Sequence, residues 1–264
     1  MRMIFDPMDH PAPLASTNGD HVSLRFSQGE MQSLMSLQHP THLVLPYTRT
    51  MMGFLSLVQK PAHILMIGLG GGSLAKFCYH YLPETRITVV EINPHVIAMR
   101  RHFQVPDDDA RFRVVCADGA DFVRDTRKTF DVILVDGFDA DGQSAQLSNK
   151  AFYDSACRVL RSKGVIAINL DSDHPAHSVF LEIIHTSFRG NMVVIGVPER
   201  ANHIVFATSG LPINLGTMGL TAALERLGLD AHPQIQSELQ RIVQLVDDEN
   251  RFPAIDLHAI GRAP

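Results

Sequence analysis

The sequence predicts an α/β fold built on a doubly wound parallel sheet, with a small β region at the N-terminus. Three observations predict it. From about residue 64 to residue 207, short apolar runs alternate with stretches of helical periodicity. The first run ends in a glycine cluster, Gly68, Gly70, Gly71 and Gly72, and the second stops at an acid, Glu91. The 264 residues are 45% hydrophobic, enough for one large domain or one domain with a small appendage.

The elements come in order. Residues 1–20 are rich in Pro, Asp and Asn and read as irregular, 22–26 as a short strand, and 30–37 as a strand or hairpin. Met51, Met52, Leu55 and Val58 recur at helical spacing, so 48–58 reads as a helix, which Pro61 separates from the first central strand. Then come strand 64–67, helix 73–81, strand 87–91 and helix 94–103, with Pro94 suited to a first turn. Strand 112–115, helix 120–126, strand 132–135, helix 150–160, strand 165–170 and helix 176–188 continue the alternation. Strands 192–197 and 203–207 read as an antiparallel pair, and helices near 217–227 and 234–246 close the chain. Residues 1–60 thus read as a short N-terminal β/helical region, and 61–264 as one doubly wound α/β domain.

In a doubly wound sheet, ligands bind at the carboxyl ends of the strands. Four such ends carry candidates: the loop Gly68–Ser73, then Glu91, then Asp118 with Gly119, then Asp136 and Asp139. Glycines let backbone approach a ligand closely. A carboxylate at the second tip can accept both ribose hydroxyls. Asp118 would accept from an adenine amino group, and Asp136 and Asp139 would face the reacting end. Each has a structural alternative: a Gly-rich turn, a solvated strand end at Glu91, a helix cap at Asp118-Gly119, an acidic loop beyond Asp136. A dinucleotide fingerprint fits Gly68-x-Gly70-x-x-Ser73 with Glu91 behind it, but leaves Asp118, Asp136 and Asp139 without roles. A site for an S-adenosylmethionine-type donor uses them all.

Composition narrows the function classes. A net charge of −5 and a pI near 6.2 argue against nucleic-acid binding and are compatible with a cationic small-molecule substrate. Cys78, Cys116 and Cys157 are widely spaced and odd in number; they read as reduced, buried thiols of a cytoplasmic protein. No signal peptide and no membrane span is expected. His174 and His177, beside Asp171 and Asp173, are read as structural rather than metal-binding, with Asp173 as the cap of the next helix.

These residues resemble the spermidine synthase family of polyamine aminopropyltransferases. The resemblance spans about residues 34 to 210. The family's glycine loop corresponds to GLGGGS at 68–73, its ribose-binding Glu to Glu91, and its adenine-side Asp-Gly to Asp118-Gly119. Its D-x-x-D motif and the G…L…F-Y run behind it correspond to Asp136, Asp139, Gly142, Leu147, Phe152 and Tyr153. An upstream Gln and Tyr, which contact nucleoside and amine in that family, correspond to Gln38 and Tyr47. The resemblance implies a Rossmann-like, methyltransferase-type domain with no prosthetic group. The co-substrate would be decarboxylated S-adenosylmethionine, the acceptor a diamine such as putrescine, the co-product 5′-methylthioadenosine, and the assembly a homodimer. Asp136 would be the base, with Asp139 and Tyr47 at the amine. The chain is a divergent member: Gly71 stands at the family's loop acid and Arg49 at an acid two residues past the Tyr. A methyltransferase using intact S-adenosylmethionine and a non-catalytic nucleoside-binding homologue remain as alternatives.

Overall fold

The computed structural model describes residues 10–26, 31–139, 142–198, 200–210, 213, 224–225 and 233–245. Seven strands form the central sheet: β4 (His63–Ile67), β5 (Arg86–Glu91), β6 (Phe112–Cys116), β7 (Phe130–Val135), β10 (Leu160–Asp171), β11 (Met192–Gly196) and β12 (Asn202–Thr208). Their spatial order is β11-β12-β10-β7-β4-β5-β6. The strands from β6 to β10 are parallel, and β12 runs antiparallel to both β10 and β11. The chain starts at the centre on β4, winds out to β6, then returns to β7 on the other side, so β4 and β7 flank the topological switch point. The remaining short strands are β1 (Pro13–Asn18), β2 (His21–Phe26) and β3 (Met31–Ser36) in an antiparallel N-terminal sheet, and the pair β8 (Phe138–Asp139) and β9 (Gly142–Gln143).

Alternation along each strand divides the core in two. On β4, Ile64 and Met66 face one layer, and Leu65 and Ile67 the other. The first layer holds α1 (Pro46–Met51), α2 (Ser73–Tyr81), the N-terminal sheet through Val22, Leu24 and Met35, and helix α7 (233–245) through Ile235, Leu239 and Ile242. The second holds α4 (Gly119–Asp125), α5 (Lys150–Val159) and α6 (His177–Ser187). A short helix, α3 (Pro94–Ala98), follows β5.

Several sequence expectations change. Residues 13–18 are not irregular but form β1, an edge strand. Gly19, at φ 57°, opens a two-residue turn into β2, and its glycine supplies the backbone twist a tight hairpin needs. Asp20 ties the turn to the end of β3 by accepting from Ser36 Oγ at 2.6 Å and from the Gln38 N–H at 3.0 Å. The expected helix 48–58 starts earlier at Pro46 and tightens into a 3₁₀ turn, Met52–Ser56, where Gly53 lies so close to β12 that a Cβ would stand 2.7 Å from Phe206 Cζ. The expected helix 94–103 stops after Ala98 and continues as turns. Of the three cysteines only Cys78 is buried; Cys116 is exposed and Cys157 half-buried. Asp173 is not the cap of α6: Ala176 holds that position, and its N–H donates to His174 Nδ1. Helix 217–227 lies, apart from 224–225, outside the described residues.

His63 is a buried histidine that opens β4. Its Nε2 is 2.9 Å from Thr88 Oγ1, and its ring tilts against Phe130. Burial, reinforced by the charge of Arg86, pushes its pKa down to about 4. The unfolded chain therefore binds a proton near pH 6.5 that the fold refuses, and stability present above that pH is lost as pH falls from about 6.5 towards 4. The expected loss is about 2–3 kcal/mol across that window. Denaturant titrations of the protein and of His63→Gln check it; an equal acid loss in the variant would clear His63 of the effect.

Candidate active site

The sequence order of the strand tips becomes a spatial order. Reading along the sheet, β6, β5, β4 and β7 end at Asp118, Glu91, Gly68 and Asp136. Backbone bonds pin the tips together: Ala117 N–H to Glu91 O at 3.0 Å, Gly68 N–H to Val90 O and Asp136 N–H to Ile67 O, both at 2.9 Å. Three interstrand spacings separate the outer two, roughly 14 Å. That span suits a nucleoside with an aliphatic arm.

The glycine loop is compressed from both sides. Gly68, Gly70 and Gly72 have φ of 95°, 50° and 69°, a region that favours glycine. A Cβ on Gly68 would lie 2.1 Å from Asp136 O, and one on Gly72 would lie 2.4 Å from Val105 Cγ2. Glu91 closes the loop beneath: one carboxylate oxygen accepts from Leu69 N–H and the other from Asn93 N–H, both at 2.8 Å. Burial raises the Glu91 pKa, opposed by N–H donors from Asn93, Leu69, Gly70 and Ile92. Glu91 thus shapes the loop from the end of β5.

Asp118 is the N-cap of α4, accepting from Asp121 N–H at 2.9 Å, so the capping alternative holds. A carboxylate has two acceptor oxygens, and the cap uses one of them. Gly119 is required for packing, since its Cβ would meet Ile67 Cγ2 at 2.4 Å.

At the other end, Asp136 has a donor on each oxygen. Tyr47 OH donates to Oδ2 at 3.0 Å, and Asn169 Nδ2 donates to Oδ1 at 2.9 Å. Burial raises the Asp136 pKa, and the bonds from Asn169 and Tyr47 partly offset it. Tyr47 is held well above the ordinary phenol range by burial and by the adjacent Asp136. Between them lies a crevice lined by Ser33, Tyr47, Gly68, Leu69, Ser73 and Asp136. The side chain of Asp139 lies outside the described residues; its backbone pairs with Gly142.

Gln38 is exposed, and its N–H goes to Asp20. From β3, Ser33 reaches the crevice instead, where its Oγ accepts from Gly71 N–H at 2.8 Å. A Cβ on Gly71 would stand 2.9 Å from Ser33 Cβ and 3.0 Å from Phe103 Cδ1. The space an acid would need at this position is therefore filled. Behind Tyr47, α7 packs on α1: Thr50 Oγ1 donates to Glu238 at 2.5 Å, and Leu43 N–H to Gln234 Oε1 at 3.1 Å. Burial opposes ionisation of Glu238, but bonds from Arg241 and Thr50, with the charges of Arg241 and Arg49, hold its carboxyl below the ordinary value.

Sequence reading missed Ser33, Asn169 and Asn202. One signal was available: Asn169 is a lone amide inside the apolar run 165–170, and buried amides exist where something bonds them.

Residues 44–204 match the spermine/spermidine synthase domain. The chain belongs to that family. A polyamine aminopropyltransferase of Chromobacterium violaceum is 41% identical over 193 residues, covering 73% of this chain and 74% of the relative. One from Neisseria meningitidis serogroup A is 37% identical over 223 residues, covering 82% and 85%. The fold agrees with a probable spermidine synthase from Corynebacterium glutamicum at a TM-score of 0.68, with 18% identity and 81% and 82% coverage.

Glu91→Gln is expected to weaken 5′-methylthioadenosine binding by about 1–3 kcal/mol, the scale of hydrogen bonds to a charged group. A glutamine also offers a donor where two N–H groups need acceptors. Calorimetric titration reads the change; unaltered affinity would remove Glu91 from the ribose role.

Proposed function

We propose that the protein is an aminopropyltransferase that moves the aminopropyl group of decarboxylated S-adenosylmethionine to an amine such as putrescine and releases 5′-methylthioadenosine. The observation that supports it most is the buried Asp136 carboxylate, hydrogen-bonded to Tyr47 in the wall of the crevice, one strand away from the glycine loop. Glu91 and Asp118 would hold ribose and adenine, with Gly68, Gly70 and Gly72 letting the nucleoside pass close to backbone. The sulfonium would then face Asp136.

Chemically, the amine lone pair attacks the methylene carbon bonded to the sulfonium. The new C–N bond forms as the C–S bond breaks, and the sulfur keeps the bonding pair as a neutral thioether. The nitrogen must shed a proton, and Asp136 would accept it. An anionic carboxylate also attracts a cationic amine into a crevice with few other charges. In-line placement of amine and sulfonium supplies the rest through proximity. Tyr47 and Asp139 would hold the amine. Cytoplasmic location and a homodimer complete the proposal. Among the described residues, no helix is long and apolar enough to cross a membrane.

A second reading, methyl transfer from intact S-adenosylmethionine, is favoured by one observation: Gly71 leaves the loop without a carboxylate to repel the donor's own. Calorimetric titration with both donors, followed by product analysis with putrescine, separates the two. Preference for the decarboxylated donor with a spermidine product supports aminopropyl transfer. Preference for the intact donor with S-adenosylhomocysteine as product replaces it with methyl transfer.

A further inference from the structure

Asn169 lies in β10 between Ile168 and Leu170 and is 2% exposed. A buried primary amide is stable only where its oxygen and its nitrogen both find partners. Here Nδ2 donates to Asp136 Oδ1 at 2.9 Å, and Oδ1 accepts from Asn202 Nδ2 at 3.0 Å. Asn202 is the first residue of β12, opposite Asp171 in the antiparallel register. The result is a directed chain: Asn202 donates to Asn169, Asn169 donates to Asp136, and Tyr47 donates to the second oxygen of Asp136.

Direction is the property that matters. An amide group turned end for end occupies almost the same space, so shape does not choose its orientation. Its partners do. A donor from Asn202 secures the orientation that offers N–H to Asp136. Without that donor, Asn169 Oδ1 is left buried and unpaired, and any rotation that finds it a new partner withdraws the N–H from Asp136. With a carboxylate in place of Asn202, the donor is lost and a second negative charge is added near Asp136.

We infer that Asn202 is a positioning residue for the transfer reaction, acting through Asn169 to hold Asp136 as an oriented, ionised acceptor for the amine proton. The inference rests on the role proposed for Asp136 above. It assigns Asn169 and Asn202 a job that neither has by touching substrate. The lone pairs of Asp136 not engaged by Asn169 and Tyr47 remain for the amine.

The test compares the full-length protein with Asn202→Ala and Asn202→Asp. The titration of the Asp136 carboxyl is followed by ¹³C resonance of labelled aspartate, with Asp136→Asn to assign the signal. The acid limb of kcat and the donor Kd are measured alongside. Loss of a donor to an ionised carboxylate moves its titration up. An upward move of about one pH unit lowers kcat roughly tenfold on the acid side of the limb while donor affinity is kept. The larger move is expected for Asn202→Asp, because it removes the donor and adds a like charge. Asp171, opposite Asn202, and His203 beside it, bonded to His177, are unchanged in every variant, and the alanine variant adds no charge, so it isolates the amide. An unshifted Asp136 titration in both variants overturns the inference, whether or not the rate falls, because a rate loss alone is what a structural role would give. Asn202→Leu is nearly isosteric and adds no charge, and it decides the matter if the alanine variant does not fold. If the natural protein transfers no aminopropyl group, the functional proposal fails, and the carboxyl titration still decides the role of Asn202.

Discussion

Asp136→Asn is expected to spare donor binding and to lower the rate of amine alkylation by roughly 10²- to 10⁴-fold, the usual contribution of a positioned general base. The substitution keeps the shape but removes the charge and the basic site. It also mismatches the local bonds: Asn169 Nδ2 and Tyr47 OH both donate to Asp136, and an amide has only one oxygen to offer them. The donor's nucleoside would be held two and three strands away, at the proposed sites Glu91 and Asp118, so its affinity is expected to stay within a factor of about two to three, the scale of a surface change with no lost contact. Relief of the buried charge stabilises the variant and the mismatched bonds destabilise it, so its melting temperature is expected to change little. Steady-state turnover, calorimetric donor affinity and thermal melting check the three parts. Turnover within tenfold of the natural protein would mean that another group, or solvent, takes the proton.

Gly68→Ala is expected to have the largest effect on stability. At φ 95° any side chain is strained, and the new Cβ would stand 2.1 Å from Asp136 O and 2.8 Å from Asp136 C, both backbone atoms of the neighbouring strand tip. Relief requires β4 and β7 to part at the point where Asp136 N–H bonds Ile67 O. Strain and lost bonding together are expected to cost about 3 kcal/mol or more. For a domain of this size that is a fall of roughly 6–12 °C in melting temperature. Gly70→Ala is the internal control. Its Cβ meets only Ser33 Oγ closely, at 2.7 Å, and a serine hydroxyl can rotate away. Equal melting temperatures for the two variants would show that the tip-to-tip contact is not what holds the switch point closed.

The sheet was legible because its signals are local. A strand buried on both faces reads as an apolar run, a helix start as a cap or proline, and a tight strand-to-helix turn as glycines. Helix α2 matches its expected bounds because Gly72, in the left-handed region, and Ser73 mark the turn unambiguously. The failures are equally physical. Strand β1 is polar and at a sheet edge, so no apolar alternation betrays it; the clue was the tight turn at Asn18-Gly19. The 46–56 segment keeps its helical periodicity, yet close approach to Phe206, a residue far along the chain, forces the tighter 3₁₀ turn.

By itself, then, the sequence determined the α/β class, the order of strands and helices, the glycine turn, and which acids stand at the strand tips. All of these depend on residues near one another in the chain. Only the tertiary structure decided that Tyr47 meets Asp136 across 89 positions, that Asn169 and Asn202 orient that carboxylate across 33 positions each, and that Ser33 and Phe103 close over Gly71. Such contacts join segments whose separation along the chain carries no periodic signal. They exist because the crossing of the chain at the switch point, and the burial it brings, gather distant polar groups where each must find a partner.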